Sequence, residues 1–215
     1  CNEIVNSTDS VCLSCNISGG YYKKIEGTDT ISYDYKLKEV VLGSKGNPVE
    51  KIHSATFYNC DQSDLTIKVY VEEGITRLKS EPWGATNATI EYYSAETGEL
   101  INVILGQRYK GNTEVNWTNW EEIPDHDKIT VIKSGAFEGC TNLALENLSE
   151  KIEYIGKSAF KDCKNIKINK LPENCLTIGD NAFGGCDGIT SIESLAKKEI
   201  TIVGRAFSNC SNLEK

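Results

Sequence analysis

The cysteines and histidines are the residues of this chain that could bind a metal or carry redox chemistry. There are nine cysteines and two histidines, and five of the cysteines each follow a phenylalanine by three residues. Metal ligands must converge on one point, whereas these five recur along the chain. Equivalent Cβ atoms of stacked turns also run side by side, a geometry that does not suit disulfides. We therefore expect free thiols that pack as small apolar groups.

Two shorter motifs could also bind a metal. Cys12 and Cys15 form a Cys-x-x-Cys pair, but no second pair or nearby histidine accompanies them. A local disulfide, free thiols or an edge of the fold are better interpretations than zinc. Asp125, His126 and Asp127 are adjacent, so their side chains alternate in direction, which favours a solvated loop. Because the motifs of hydrolases, metalloproteases and phosphate-binding loops are absent from the sequence, we predict no cofactor, no catalytic residue and no enzyme.

The elements that position the cysteines are sequence repeats. All five phenylalanines precede a cysteine by three residues, and the last four follow one another at steps of 23, 23 and 24 residues. Each of these four copies also has isoleucine five residues before the phenylalanine and alanine one residue before it. Such a period predicts a stacked solenoid in which each turn buries its apolar side on the next. The predicted repeat core is Phe57, Cys60, Phe137, Cys140, Phe160, Cys163, Phe183, Cys186, Phe207 and Cys210.

Alternating apolar residues predict where the strands lie. Residues 65–71 alternate most regularly, with Leu65 and Ile67 facing one way and Lys68 the other. Leu143 and Leu145 alternate in the same manner after a later phenylalanine. This period of two is typical of a half-buried strand. One strand in each turn, at the same position, predicts a parallel sheet along one face.

The repeat resembles the BspA-like branch of leucine-rich repeats, found on surface proteins of host-associated bacteria and some parasitic protists. The string I-G-x-x-A-F-x-x-C-x-x-[LI] is complete at residues 155–166 and 178–189, and Lys133 and Val203 depart from it at the glycine position. The resemblance covers residues 128–215 and is recognisable over 49–80. It implies a β-rich α/β fold, a right-handed solenoid of parallel strands and 23-residue repeats.

The resemblance also implies a secreted or cell-surface protein without catalysis, which mediates adhesion or binds a host protein or glycan. The residues predicted to contact a partner project from the strand face or belong to the aromatic segment that interrupts the repeats: Lys167, Asn169, Thr190, Glu193, Trp117 and Trp120. The alternative is a spacer or stalk that presents other domains and has no ligand of its own.

Four regions are predicted along the chain. Residues 1–40 are a cysteine-containing segment before the repeats, 41–83 hold a first repeat with a degenerate closing turn, and 128–215 are the repeat array, cut short in its last turn. Residues 84–127 break the period and read as an aromatic-rich β-hairpin insertion. Its aromatic rings either offer a binding platform for a glycan or protein, or pack the insertion onto the solenoid.

Charge and hydropathy narrow the classes of partner. A net charge of −8 and a pI near 5.0 disfavour binding to nucleic acid, and we expect none. No apolar run is long enough to cross a bilayer. Cys1 either carries a lipid anchor, as in a matured bacterial lipoprotein, or marks a trimming point. The last turn lacks its second half, which predicts end-to-end self-association through an uncovered coil.

Overall fold

The computed structural model describes residues 21–24, 31–34, 39–50, 52, 63–78, 86–193 and 199–214. Five residues singled out in the sequence lie outside these ranges: Cys1, Cys12, Cys15, Phe57 and Cys60. The chain divides into two compact units, Cys1–Asn102 and Val103–Lys215. Each unit is described separately below.

The first unit contains a two-stranded sheet and a parallel sheet. Strands β1 (Tyr21–Lys24) and β2 (Ile31–Asp34) pair in antiparallel orientation. Strands β3 (Glu39–Leu42), β4 (Thr66–Val71) and β5 (Thr89–Ser94) pair in parallel in that order. Thr66 pairs with Thr89, 23 residues later, so this step has the repeat spacing.

The alternation predicted for residues 65–71 is present in β4. Leu65, Ile67, Val69 and Val71 are fully buried, whereas Thr66, Lys68 and Tyr70 are partly exposed. Successive side chains of a strand point to opposite faces. One face of β4 therefore forms core and the other meets solvent.

Residues 84–127 contain the two strands and the turn that the sequence predicts. Strand β5 is followed by a turn in which the Ser94 amide donates to the Glu99 carbonyl at 2.9 Å, and then by β6 (Leu100–Leu105). The sequence did not predict that β5 pairs in parallel with β4. This strand therefore has the pairing of a repeat turn, and the boundaries of the inserted region stay a prediction.

The second unit is a stack of turns joined through short parallel strands. Strand β6 pairs with β7 (Ile129–Ile132), then follow β8 (Tyr154–Ile155), β9 (Thr177–Ile178) and β10 (Thr201–Ile202). Val131, Tyr154, Thr177 and Thr201 align across the strands, at steps of 23, 23 and 24 residues. The predicted solenoid with parallel strands and a 23-residue spacing is confirmed.

The position of these strands within the turn corrects the sequence prediction. They precede each phenylalanine, whereas the alternation at Leu143 and Leu145 placed the strand after it. Residues 143–146 do alternate between buried and exposed. However, successive turns are joined there by isolated backbone bonds, such as the 2.8 Å bond from the Lys167 amide to the Leu145 carbonyl. A strand ladder needs a regular series of such bonds.

Helical structure is sparse in the ranges that the structure describes. It is limited to the 3-10 helix Trp120–Glu122. The Glu122 carboxylate accepts the Asn119 amide at 3.0 Å and so satisfies one of the free N–H groups at the start of the helix. This contact holds the segment that connects the aromatic residues to β7.

Candidate functional site

Stacked aromatic rings form the centre of the second unit. The Phe137 and Phe160 ring centroids lie 5.1 Å apart, those of Phe160 and Phe183 lie 5.2 Å apart, and those of Phe183 and Phe207 lie 5.2 Å apart. Phe137, Phe160 and Phe183 are fully buried. Adjacent turns therefore share one continuous apolar stack, since each ring contacts its equivalents before and after it.

Tyr109 extends this stack by one turn. Its ring lies 5.5 Å from that of Phe137, at an interplanar angle of 10°. Tyr109 lies in the segment 84–127 and was not among the residues predicted for the repeat core. A signal was nevertheless present, because Asn112 and Val115 follow Tyr109 by three and six residues, as a cysteine and a leucine or isoleucine follow each later phenylalanine.

The repeat cysteines are hydrogen-bond donors between turns. The Cys163 thiol donates to the Phe137 carbonyl at 3.0 Å, and the Cys186 thiol donates to the Phe160 carbonyl at the same distance. Cys210 and Cys140 donate in the same way, to the carbonyls of Phe183 and Tyr109 at 3.1 and 2.8 Å. The four thiols are free. Cysteine at this position supplies a donor to the neighbouring turn in addition to a small apolar volume.

The buried setting of these thiols opposes their ionisation. Burial raises the pKa of the Cys140 thiol to about 11. It also raises the pKa of Cys163 and Cys186, further than that of Cys140. The thiolate is the form that binds metals and attacks electrophiles. The cysteine row is therefore poorly suited to metal or redox chemistry.

A row of polar side chains runs along the surface of the same turns, and we call it the outer row. It follows the buried leucine or isoleucine of each turn. Backbone bonds fix its spacing, as when the Glu193 amide donates to the Asn169 carbonyl at 2.7 Å. All five side chains are exposed. The outer row consists of Glu146, Lys167, Asn169, Thr190 and Glu193.

The side chains of the outer row lack internal partners, unlike several charged pairs of the same unit. Within the described part of the chain, its five side chains make no hydrogen bond and no ion pair. At another corner of the turns, Glu138 binds Lys110 at 3.0 Å and Lys161 at 3.1 Å, and Lys170 binds Glu150 at 3.1 Å. The polar groups of the outer row are therefore available to an external ligand without breaking an internal contact.

The two described tryptophans occupy different environments. Trp120 is only 2% exposed, and its indole N–H donates to the His126 carbonyl at 3.0 Å. A ring held in this way packs the turn and offers no surface to a partner. Trp117 is partly exposed, lies edge-on to Tyr109 at 5.1 Å, and its carbonyl accepts the Ala144 amide. Trp117 therefore lies one turn before the outer row.

Exposed apolar side chains on β8 and β9 were not predicted. Tyr154 is 40% exposed, and Leu176, directly before β9, is 53% exposed. The sequence analysis missed them because it placed the strands on the other side of each phenylalanine. Isolated exposed apolar residues are common on soluble proteins, so this pair alone indicates no site.

The described residues contain neither a cluster of metal-ligating side chains nor a membrane-spanning helix. No three or more histidine, cysteine, aspartate or glutamate side chains there converge as metal ligands would. Nor does any helix in these ranges have the length and apolar character needed to span a bilayer.

Comparison with known proteins agrees with this geometry. A family model for the BspA-type leucine-rich repeat region matches residues 112–215 in six copies. This segment is a BspA-type leucine-rich repeat region. The resemblance to BspA-like repeats, which the Ala-Phe-x-x-Cys strings indicated, is thereby confirmed. Neither the curated proteins nor the solved structures contain a match to the chain.

Proposed function

We propose that this protein is a non-catalytic interaction module, displayed at the cell surface or secreted, that binds a host protein or glycan through the outer row. BspA-like repeats are usually found in surface proteins associated with adhesion, and leucine-rich repeat solenoids are typically non-catalytic. The observation that carries the proposal is that all five side chains of the outer row are exposed and make no hydrogen bond or ion pair with another described residue.

The form of the outer row suits a macromolecular ligand. Its members recur at nearly the same spacing because the stacked turns repeat, and repeat proteins use such regular surfaces to bind extended partners. The row presents one ammonium group, two carboxylates, an amide and a hydroxyl. The ammonium group is a positively charged donor and the carboxylates are negatively charged acceptors. The amide and the hydroxyl can both donate and accept. Trp117 adds an apolar group at one end, whereas Trp120 is excluded by its burial.

The proposal is tested by charge reversal on the outer row. The chain is assayed for binding to cultured host cells, and to immobilised extracellular-matrix proteins and glycans, alongside the variants Lys167→Glu and Glu193→Lys. Lys164→Glu is the matched control, since Lys164 is exposed in the same turn and lies outside the row. We expect either row variant to reduce binding about tenfold, as the loss of a charged contact does, and the control to bind normally.

Three results would contradict the proposal. Equal losses in Lys164→Glu and Lys167→Glu would indicate a general effect of charge and no defined site. Binding that survives both row variants would place the site elsewhere on the chain. Failure of the folded chain to bind any cell or ligand would favour the alternative of a spacer that presents other domains.

Lipid attachment at Cys1 stays a separate prediction, because that residue lies outside the described ranges.

A further inference from the structure

Several Asn-x-Ser/Thr sequons lie in the part of the chain that the structure describes. This sequon is the acceptor motif for N-linked glycosylation, and it is typical of surface loops in secreted proteins. Its described asparagines are Asn87, Asn116, Asn147 and Asn209. The motif is short enough to arise by chance, so the surroundings of each asparagine decide whether the position suits a glycan.

The asparagines of these sequons differ in exposure. Asn116, Asn147 and Asn209 lie in exposed loops or turns. Asn87 is only partly exposed, and both of its neighbours in the chain are buried. An N-linked glycan is bulky and needs surface. The folded chain therefore has room for a glycan at the three exposed asparagines, whereas the residues that flank Asn87 belong to the core.

The side chain of Asn147 is held in an orientation that suits modification. Its Oδ1 atom accepts the Trp120 backbone amide at 3.3 Å. Because a backbone N–H can bond only to the oxygen of a side-chain amide, Nδ2 is the atom left over, and it has no partner among the described residues. A glycosylated asparagine keeps its carbonyl oxygen. The bond to Trp120 is therefore compatible with a glycan on Nδ2.

Other asparagines of the second unit use Nδ2 in the fold. The Asn142 Nδ2 atom, for example, donates to the Thr113 carbonyl at 2.8 Å. The asparagines outside the motif that donate through Nδ2 are Asn119, Asn142, Asn165, Asn174 and Asn212. Asn116, Asn147 and Asn209 make no such bond within the described ranges. A sugar on Asn142 would break a contact between turns, whereas a sugar on any of these three breaks none.

We propose that Asn116, Asn147 and Asn209 each carry an N-linked oligosaccharide. The donor is an oligosaccharide attached to a lipid diphosphate. Nδ2 forms a bond to the anomeric carbon of the first sugar while the bond from that carbon to the diphosphate oxygen breaks. The lipid diphosphate leaves, and the proton lost from Nδ2 passes to a base of the transferase. The inference rests on the secretion or surface display proposed above. Asn116 precedes Trp117 and Asn147 follows Glu146, so two of the glycans border the outer row.

The test is peptide mass spectrometry of the protein isolated from the surface or the medium of the cells that produce it. Peptide N-glycosidase in heavy-oxygen water converts each glycosylated asparagine to aspartate and introduces the heavy isotope there. We expect this label at Asn116, Asn147 and Asn209, and none at Asn87, which is the internal control. Absence of the label at one of the three rejects that site, and absence at all three overturns the inference. An equal label at Asn87 would refute the argument from exposure.

Variants separate the modification from other roles of the same residues. The chain is expressed through a eukaryotic secretory pathway as the parent and as Asn116→Gln, Asn147→Gln and Asn209→Gln. Each variant should lose the mass of one glycan, whereas Thr118→Ser retains the motif and should retain the glycan. Asn169→Gln is the matched control, because Asn169 is exposed but has no serine or threonine two positions later. An unchanged mass of attached glycan in all three sequon variants would overturn the inference.

The two proposals fail in different ways. If the asparagines are labelled while Lys167→Glu binds host cells normally, glycosylation is supported and the outer row is rejected. If Lys167→Glu loses binding while no asparagine is labelled, the outer row is supported and glycosylation is rejected.

Discussion

The aromatic stack is most directly tested by replacing its central described ring. In Phe160→Ala, a fully buried side chain is removed that lies 5.1 Å from the Phe137 ring and 5.2 Å from the Phe183 ring. The substitution leaves the backbone carbonyl that accepts the Cys186 thiol. The change therefore removes the apolar contacts on both sides of one turn and keeps the hydrogen bonds between turns.

The expected loss of stability follows from these contacts. Truncating a buried phenylalanine to alanine costs about 3–5 kcal/mol, and each aromatic contact adds about 0.5–1.5 kcal/mol beyond the area it buries. Phe160 makes two such contacts, so we expect a loss near the upper end, ~4–5 kcal/mol. Phe207 is a graded control, because it is partly exposed and stacks on Phe183. Phe207→Ala should cost only ~1–3 kcal/mol.

Urea denaturation followed by circular dichroism measures the total loss, and amide hydrogen exchange locates it. Each turn contacts mainly its neighbours, so Phe160→Ala should speed exchange at the amides of Phe137 and Phe183 while leaving Ile67 and Ile90 in the first unit protected. Phe160→Leu should cost about 1–3 kcal/mol, less than Phe160→Ala, because it keeps most of the apolar volume but loses both aromatic contacts. A midpoint for Phe160→Ala equal to that of the parent, or equal losses for Phe160→Ala and Phe207→Ala, would refute the reasoning.

Three further perturbations address other contacts of the repeat. A Cβ added in Gly156→Ala would clash with the Ser134 backbone nitrogen of the preceding turn, so we expect a loss of about 1–3 kcal/mol in urea denaturation, and an unchanged midpoint would contradict the close approach of the turns. Burial opposes ionisation of Glu138, but hydrogen bonds from Lys110 and Lys161 outweigh it and lower its pKa. Glu138→Lys should therefore lower the melting temperature, more at low than at high salt, and equal effects in both salts would argue against the ion pairs. Because the pKa of Cys140 is raised to about 11, the unfolded chain loses this proton at lower pH than the folded chain, and stability should fall between roughly pH 9 and 11. Cys140→Ser should flatten this decline, and an equally steep decline in the variant would exclude the thiol as its source.

The fold of the second unit was predictable because one dipeptide identifies each turn. Alanine and phenylalanine recur at a fixed spacing, and a ring that must stack on its equivalent cannot shift along the chain. The amide of Phe160 donates to the Ala182 carbonyl of the next turn at 2.7 Å, so the dipeptide also carries a backbone bond between turns. The dipeptide therefore does not indicate the strands or their partners, but it does indicate the contact that aligns the turns.

The strand positions were predicted wrongly because an alternation of apolar and polar residues indicates which side chains are buried. It does not indicate which backbone groups form hydrogen bonds. Leu143 and Leu145 are both fully buried with the partly exposed Ala144 between them, which is the pattern of a strand. The ladder instead forms before the phenylalanine, where the Gly156 amide reaches the Ile132 carbonyl and the Gly179 amide reaches the Ile155 carbonyl, both at 2.8 Å. Two-residue strands such as β8 are too short to show any period.

The candidate sites were only partly predictable for a related reason. Exposure of Lys167 and Glu193 follows from their places in the repeat, so the outer row could be named from the sequence. The residues that face each other across β4 and β5 could not be named in the same way, because the parallel pairing of these two strands was not predicted. The equivalence of the segments T-I-K-V-Y-V and T-I-E-Y-Y-S, 23 residues apart, was the available signal. This equivalence would be recognised only if β5 were counted as a repeat turn and the insertion were taken to begin after it.

The division between fixed and free positions explains how such a repeat can support binding without losing its fold. The ring and thiol of each turn, and the glycine in the turns that have it, contact the neighbouring turn, so a change at Phe160, Cys163 or Gly156 disturbs two turns at once. Lys167 and Asn169 occupy the same turn but contact neither neighbour through their side chains. Surface substitutions of this kind usually change stability by less than about 0.5 kcal/mol. The outer row can therefore vary from turn to turn while the aromatic stack remains the same.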